Sequence, residues 1–341
     1  MSPESFRQVE STQDEAVILK ALLDAEGGFI SGSLLAKELG ISRPAVLGKI
    51  NKLREIGFDF QAIRNKGYSL VAEPKVIHPS LLQHHMQAAD LSFEVLYFPV
   101  IDSTNSEAER QLANGRQGPF AVVSSCQTKG RGRLGRDWHS ASSENLYLSV
   151  VFEPNIPAQR LQPFTLWAGI QICRALQAFT PSRALKIKWP NDLHCEARKF
   201  AGMLTEARMD ADLLRTIIFG IGINVNSNPN EFPTAFRSQA TSLHAICGKA
   251  LPINQVAVET LSAIDRAYRI SIQKSTTESL TEAWAPLSAL LGKQISGLQG
   301  NRSISGVAES IDENGALQVR APDGRLQLLH AGDVTLKKEA D

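Results

Sequence analysis

Residues 127–138 read Gln127-Thr128-Lys129-Gly130-Arg131-Gly132-Arg133-Leu134-Gly135-Arg136-Asp137-Trp138, and the interpretation of their glycines decides the fold. Gly130, Gly132 and Gly135 satisfy GxGxxG behind an apolar run, Phe120 to Cys126, that reads as a strand. A dinucleotide fingerprint needs a helix directly after the glycines, so that its N-terminus faces pyrophosphate. Here Asp137 to Glu144 are turn-forming residues that lead into another strand, Leu146 to Phe152. Arg131, Arg133 and Arg136 also stand among the glycines, where a Rossmann turn would offer backbone amides. Such a loop suits a flap over a phosphorylated ligand, glycine supplying adaptable backbone and arginine bidentate donors. The competing reading is a solvated basic loop.

Working outward, strand patterns at Phe93 to Phe98, Phe120 to Cys126, Leu146 to Phe152, Leu185 to Trp189 and Thr216 to Val225 alternate with helical patterns at Ser106 to Asn114, Pro163 to Phe179 and Asn254 to Lys274. The middle of the chain is therefore expected to be a mixed α/β catalytic body. Within it, Lys186-Ile187-Lys188-Trp189-Pro190-Asn191-Asp192 puts Lys186 and Lys188 on one strand face, and Pro190 ends the strand. On pattern alone, an ordinary amphipathic strand explains this segment equally well. Asp102-Ser103-Thr104-Asn105-Ser106-Glu107 fits a capping box of Thr104 with Glu107, and its hydroxyls and amides also offer donors to a polar ligand. Gly220-Ile221-Gly222-Ile223-Asn224 is a strand whose glycines permit close approach of a ligand or a second backbone.

On the N-terminal side, helical spacing recurs over Glu15 to Leu23, Ser33 to Leu39 and Ser42 to Ile56, with Leu34, Leu35, Leu39, Ile41, Val46, Ile50 and Leu53 on the inner face. Ser33 and Ser42 are the expected N-caps, Gly40 the C-terminal turn, and Pro44 is tolerated in a first turn. Phe58 to Ile63 and Gly67 to Val71, joined by Arg64, Asn65 and Lys66, form a hairpin, and the whole spells a winged helix-turn-helix. Between Ser33 and Gly67 seven basic residues oppose three acidic ones, a local net of +4 in a chain of net charge +1. This patterning predicts DNA binding, with Ser42, Arg43, Leu47 and Lys49 towards the major groove and Arg64 and Lys66 on phosphate. A protein-contact helical hairpin is the alternative. Beyond Leu290, five short strand patterns with Asn314-Gly315 and Asp323-Gly324 turns, ending at Val334 to Lys337, suggest a small barrel.

The 341 residues, 43% of them hydrophobic, with 36 Lys+Arg against 35 Asp+Glu, support several folded cores and exclude a polyelectrolyte or disordered chain. The four cysteines, Cys126, Cys173, Cys195 and Cys247, lack zinc spacing and are expected as reduced thiols. No GxxxxGK, HExxH or GxSxG motif occurs, and His84-His85 has no acidic neighbour in sequence, so it reads as a surface feature. No apolar stretch has the length of a membrane span, and Met1 to Glu10 has no apolar signal core, so a cytoplasmic protein without membrane association is expected.

The winged helix, Asp-Ser-Thr-Asn, Gln-x-x-Gly-Arg-Gly-Arg-x-Gly-Arg-x-Trp, Lys-Trp-Pro-Asn-Asp, Arg-Lys-x-Ala-Gly and Gly-Ile-Gly-x-Asn occur in this order, and together they resemble the biotin protein ligases, in particular bacterial ligases that also repress the biotin operon. The resemblance implies an α+β multidomain chain. Its parts would be a winged helix-turn-helix over 1–73, a ligase domain like class II aminoacyl-tRNA synthetases over 80–288, and an SH3-like β-barrel over 289–341. It implies activation of biotin with Mg-ATP to biotinyl-5'-AMP and transfer to a lysine of the biotin carboxyl carrier protein of acetyl-CoA carboxylase. By motif position Ser103, Thr104, Asn105 and Gln127 would bind biotin. Arg131, Gly132 and Arg133 would enclose biotin and the adenylate, and Lys188 with Arg133 would act on the reacting groups. Arg136, Trp138, Asn191 and Asn224 would assist, and Asp192 would act through Mg2+. It further implies that the adenylate-bound chain forms a homodimer on operator DNA. A biotin-sensing transcription factor without ligase activity and a lipoate ligase remain the alternatives.

Overall fold

The computed structural model describes residues 13–140, 142–299, 302–330 and 332–336. The N-terminal stretch read for a signal and Lys337 of the last expected strand lie outside them.

The chain opens with α1 (Gln13–Asp24), α2 (Gly32–Leu39) and α3 (Arg43–Glu55), followed by the hairpin β1 (Asp59–Ile63) and β2 (Gly67–Ala72). Ile30 pairs with Tyr68 of β2 through two backbone hydrogen bonds of 2.8 and 2.9 Å, which keeps the chain extended up to Ser31. Ser31, not Ser33, is therefore the N-cap of α2, its hydroxyl accepting from the Leu34 amide at 3.1 Å. Ser33 accepts instead from the Arg43 guanidinium. With the helix begun at Gly32, Leu35 and Ala36 face the core while Leu34, expected inside, is 53% exposed. Gly40 in the left-handed region, Ser42 as cap of α3 and Pro44 in its first turn are as read.

Between the wing and the middle domain lies α4 (Pro79–Ala88), which the sequence pattern did not announce. Its Leu81 belongs to the winged-helix core with Leu19, Leu35 and Ile50, whereas Leu82 and Met86 belong to the core of the middle domain. The histidines on α4 are not the isolated pair the sequence suggested. His85 Nε2 lies 3.0 Å from Glu73, and His84 Nδ1 lies 3.6 Å from Asp24 of α1. Those carboxylates are distant in sequence and near only once α4 has docked.

The middle domain contains β3 (Glu94–Phe98), α5 (Thr104–Ala113), β4 (Phe120–Ser124), β5 (Leu146–Phe152), β6 (Ile156–Pro157), α6 (Leu161–Leu176), β7 (Leu185–Lys188), β8 (Asp192–Cys195), β9 (Arg198–Asp210) and β10 (Leu213–Ile223). After these come α7 (Leu243–Cys247), α8 (Ile253–Gln273) and α9 (Leu280–Trp284). The sheet order is β3-β4-β5-β10-β9-β8-β7, with β6 on β10; β3 and β4 are parallel and every other pair is antiparallel. Ile187, Leu193, Ala201 and Phe219 join α6 and α8 in a continuous apolar core on one face. The other face carries α5 and the arginine and glycine loop.

The C-terminal strands β11 (Gln294–Gln299), β12 (Arg302–Ile311), β13 (Leu317–Arg320), β14 (Leu326–Leu329) and β15 (Asp333–Leu336) form an antiparallel sheet in the order β14-β13-β12-β11-β15. The expected barrel is met as this open sheet, since β14 and β15 do not pair among the described residues. Its Ile295, Ile304 and Leu317 extend the apolar core of the middle domain. The Trp189 indole also donates to the Gly315 carbonyl at 2.9 Å. The four cysteines are free. No helix among the described residues is long and apolar enough to cross a membrane.

Candidate active site

The site is built on a row of residues across the sheet. Cross-strand register aligns Lys188, Asp192, Gly202, Gly222, Tyr147 and Ser124, so these positions share the face opposite the α6 core. Glycine at two of them leaves a bed for other groups. A Cβ at Gly222 would lie 2.2 Å from the Trp138 indole nitrogen, and one at Gly220 would lie 2.1 Å from Asn105 Oδ1. The Gly-Ile-Gly motif thus provides floor space rather than a turn.

Above this floor, the first residues of α5 form a polar wall. Ser103 is the N-cap, but neither it nor Thr104 caps with a side chain, and the expected pairing of Thr104 with Glu107 is not made. Glu107 bonds Arg110 and Gln111 instead. Thr104 is inside the helix, and both its amide (2.8 Å) and its hydroxyl (3.2 Å) donate to Gln127 Oε1. Ser149 Oγ from β5 sits 2.7 Å from Thr104 Oγ1 and 2.5 Å from Asn105 Oδ1. Asp102 anchors the turn by taking a two-pronged hydrogen bond from Arg110, which with the Ser103 amide holds its carboxyl down at about 2. Ser103, Thr104, Asn105 and Gln127, predicted as one group, are brought together.

The arginine and glycine loop closes the cavity as a compact hairpin. Arg131 pairs with Asp137, the Gly132 amide donates to the Arg136 carbonyl at 2.7 Å, and the Trp138 amide donates to the Gly130 carbonyl at 2.9 Å. Leu134 forms its tip, 73% exposed and in the left-handed region at φ +56°. Arg131 is bound to Glu206 at 2.8 Å. Arg133 donates to Asn191 Oδ1 at 2.9 Å and to the Gly332 carbonyl of the C-terminal domain at 3.4 Å.

Two cavities meet beside the loop. The first is walled by Ser103, Thr104, Asn105, Gln127, Arg131, Gly132, Arg133 and Asn191 over the glycine floor. The second is walled by Lys188, His194, Asn224, Phe232 and Phe236. Arg136, Asp137, Trp138, Asp192 and Lys199 line both. Lys188 therefore stands on the second cavity and does not touch the first. Asn224 lines the second with its amide donating to the Thr241 carbonyl at 3.0 Å.

Lys199 was missed as a site residue. Its Nζ lies 2.7 Å from Asp192 Oδ1 and 5.0 Å from the Trp138 ring centroid, at the junction of the cavities. Strict alternation along β9 would put Lys199 and Gly202 on opposite faces, but the register slips between Leu193 and His194, where Phe200 is the extra residue. This bulge turns Lys199 onto the site face. The Arg-Lys-x-Ala-Gly motif was its one signal in the sequence. Burial pushes the Asp192 carboxyl up, but His194 and Lys199 together draw it below the ordinary carboxylate value. Asp192 is ion-paired with Lys199, and among the described residues no three His, Cys, Asp or Glu side chains form a metal-binding group.

On the winged helix, Ser42, Arg43, Arg64 and Lys66 are exposed, and Leu47 is 42% exposed. Lys49 departs from the expectation: it is ion-paired with Asp14 of α1 at 2.8 Å and half-buried, which ties α3 to α1.

Comparison with known proteins agrees with this geometry. Residues 97–224 match the biotin/lipoate A/B protein ligase family, 15–69 an HTH domain, and 290–337 the biotin protein ligase C-terminal domain. The chain is 30% identical to the bifunctional ligase/repressor BirA of Bacillus subtilis, over 94% of this chain and 97% of that one. It is 29% identical to the bifunctional ligase/repressor BirA of Escherichia coli, over 95% and 98%. The biotin protein ligase of Aquifex aeolicus, solved in complex with biotin and ATP, superposes with a TM-score of 0.60 at 29% identity, covering 72% of this chain and 99% of that one. With the winged helix, the two-cavity ligase sheet and the C-terminal sheet all matched over nearly the full length of such relatives, the chain belongs to the biotin protein ligase family, in its bifunctional ligase/repressor branch.

Proposed function

We propose that the chain joins biotin to ATP, giving biotinyl-5'-AMP and pyrophosphate, and then transfers biotin to a lysine of the biotin carboxyl carrier protein of acetyl-CoA carboxylase. The observation that carries this reading is the meeting of two chemically different cavities at Lys199 and Asp192. The first offers the hydroxyl and amide set that a cyclic urea needs, in Ser103, Thr104, Asn105 and Gln127. The second offers the rings of Phe232 and Phe236, 6.2 Å apart, to a purine.

In the first step a biotin carboxylate oxygen attacks the α-phosphorus as the bond to the β-phosphate oxygen breaks. Two anions must meet, so fixed positive charge lowers the barrier. Lys199 supplies it at the junction, Lys188 on the nucleotide side, and Arg131, Arg133 and Arg136 from the loop. Asp192 would be the carboxylate on hand for a Mg2+ ion bound with ATP, which would screen the phosphate charge. In the second step the neutral amine of the carrier lysine attacks the acyl carbon, AMP leaves, and the amine proton is lost to solvent. No protein nucleophile is required. The closed loop keeps water from the mixed anhydride in between.

We further propose that the adenylate-bound chain dimerises in the cytoplasm and represses biotin synthesis genes through operator DNA, the segments acting as units over 1–73, 80–288 and 289–341. Exposed Ser42, Arg43 and Leu47 on α3 and Arg64 and Lys66 on the wing support this reading. Incubation with biotin, Mg-ATP and apo-carrier should give a streptavidin-reactive carrier, and no product at saturating substrates would overturn the ligase assignment. Retardation of biotin-operator DNA that depends on biotinyl-5'-AMP tests the repressor assignment separately. A carrier that stays unmodified while DNA is retarded would favour the biotin-sensing transcription factor.

A further inference from the structure

Glu206 stands four cross-strand pairs beyond Gly202, and so again on the site face of β9, opposite Ile218 of β10. One of its carboxylate oxygens, Oε2, accepts from two donors on different elements: Asn105 Nδ2 of α5 at 2.7 Å and Arg131 Nη2 of the loop at 2.8 Å. Glu109, the other carboxylate near Arg131, is 3.9 Å away, so Glu206 makes the close contact. The bond from Asn105 fixes the orientation of that amide. With Nδ2 committed to Glu206, Oδ1 points at Ser149 Oγ and rests on Gly220, so Asn105 presents its acceptor to the polar end of the cavity. The bond from Arg131 holds the loop on the biotin side. Arg133 holds it on the opposite side through Asn191.

We propose that Glu206 is a positioning residue that latches the arginine and glycine loop to the biotin-recognition wall, so that closure of the loop and orientation of Asn105 depend on one carboxylate. This rests on the reading of the first cavity as the biotin site. Two effects follow, and they separate by substitution. Glu206→Gln keeps an oxygen for Asn105 and loses the charge that holds Arg131. Glu206→Ala loses both.

The test uses the full chain and three readouts: KM for biotin and for ATP, the release rate of biotinyl-5'-AMP, and the rate of tryptic cleavage at Lys129 to Arg136 in ligand-free protein. Glu206→Gln is expected to speed loop cleavage and adenylate release about 5-fold, the scale of a lost charge-assisted hydrogen bond, with KM for biotin within about 2-fold. Glu206→Ala is expected to add a rise of about 10-fold in KM for biotin with KM for ATP unchanged. A merely structural role would move both KM values and the melting temperature together. Arg131→Gln is expected to speed cleavage at the remaining basic sites, and adding Glu206→Gln to it should have no further effect. Wild-type values of all three readouts in both Glu206 variants, or additive effects in the double variant, would overturn the latch. Cleavage of the ligand-free protein is read without turnover, so a wild type unable to bind biotin would overturn the site reading and leave the Arg131 contact separately tested.

Discussion

Lys199 Nζ and Asp192 Oδ1 are 2.7 Å apart across β8 and β9, on the wall that both cavities share. In the proposed reaction this pair would set a cation between the incoming carboxylate and the phosphate it attacks. The Asp192 carboxylate holds that ammonium in register until the substrates arrive. Lys199→Met is therefore expected to slow adenylate formation by roughly 10²- to 10³-fold, the usual loss for one preorganised charge donor, with a smaller effect on biotin binding. Rapid-quench measurement of biotinyl-5'-AMP checks this, and a loss below about 5-fold would remove Lys199 from the reacting centre.

Gly222→Ala sets a methyl group where the Trp138 indole lies. The indole must move, because the β10 backbone cannot. Expected are a shift in tryptophan emission, a rise in KM for biotin of at least about 10-fold and a stability loss of about 1–3 kcal/mol from overpacking. Unchanged emission would show that Trp138 does not rest on the glycine floor in solution.

Arg133→Gln removes the tie between the loop, Asn191 and the Gly332 carbonyl. Adenylate should still form but leave the open site before transfer, so free biotinyl-5'-AMP accumulates in the supernatant while carrier labelling falls. Retention of the adenylate at the wild-type rate would contradict the flap role.

His78 is buried where α4 joins the two cores, edge-on to Phe58 with ring centroids 5.1 Å apart, and burial lowers its pKa to about 4 against a weak opposing effect of Glu15. An unfolded histidine titrates near 6.5, so between these values the unfolded chain takes up a proton that the folded chain refuses. Stability from the neutral ring is complete above about pH 6.5 and is lost as pH falls towards 4, by at most about 3 kcal/mol. Denaturant titrations should show a shallower decline over this range in His78→Leu. An identical slope would assign the decline to other groups.

On DNA, Arg64→Ala and Lys66→Ala should each lower the salt dependence of operator binding by about one unit of slope, as expected for a lost phosphate contact, whereas Arg43→Ala should relax discrimination between operator and unrelated sequence. Lys49→Ala should leave the slope unchanged and cost up to about 1 kcal/mol of stability through loss of its pair with Asp14. The reverse pattern would return Lys49 to the DNA surface.

What could be read from the sequence was what local chemistry determines. Gly40, Ser42 and Pro44 fix their own turns and caps, and the wing strands follow from alternation and the Arg64 to Lys66 turn. The arginine and glycine loop separated itself from a Rossmann turn because no helix follows it. What could not be read depended on contacts distant in sequence. Ser31 displaces Ser33 as a cap because Tyr68 holds Ile30 extended. Lys199 reaches the site through a bulge that simple alternation does not anticipate. Likewise α4 went unread because Leu81 serves one core while Leu82 and Met86 serve another, which blurs a single apolar stripe.

The central claim, that the two cavities unite biotin with ATP at Lys199, is tested most directly by ATP–pyrophosphate exchange without carrier protein. The account predicts exchange that requires biotin, is not supported by lipoate and is lost in Lys199→Met. No exchange with biotin in the folded wild type, or equal exchange with lipoate, would contradict it.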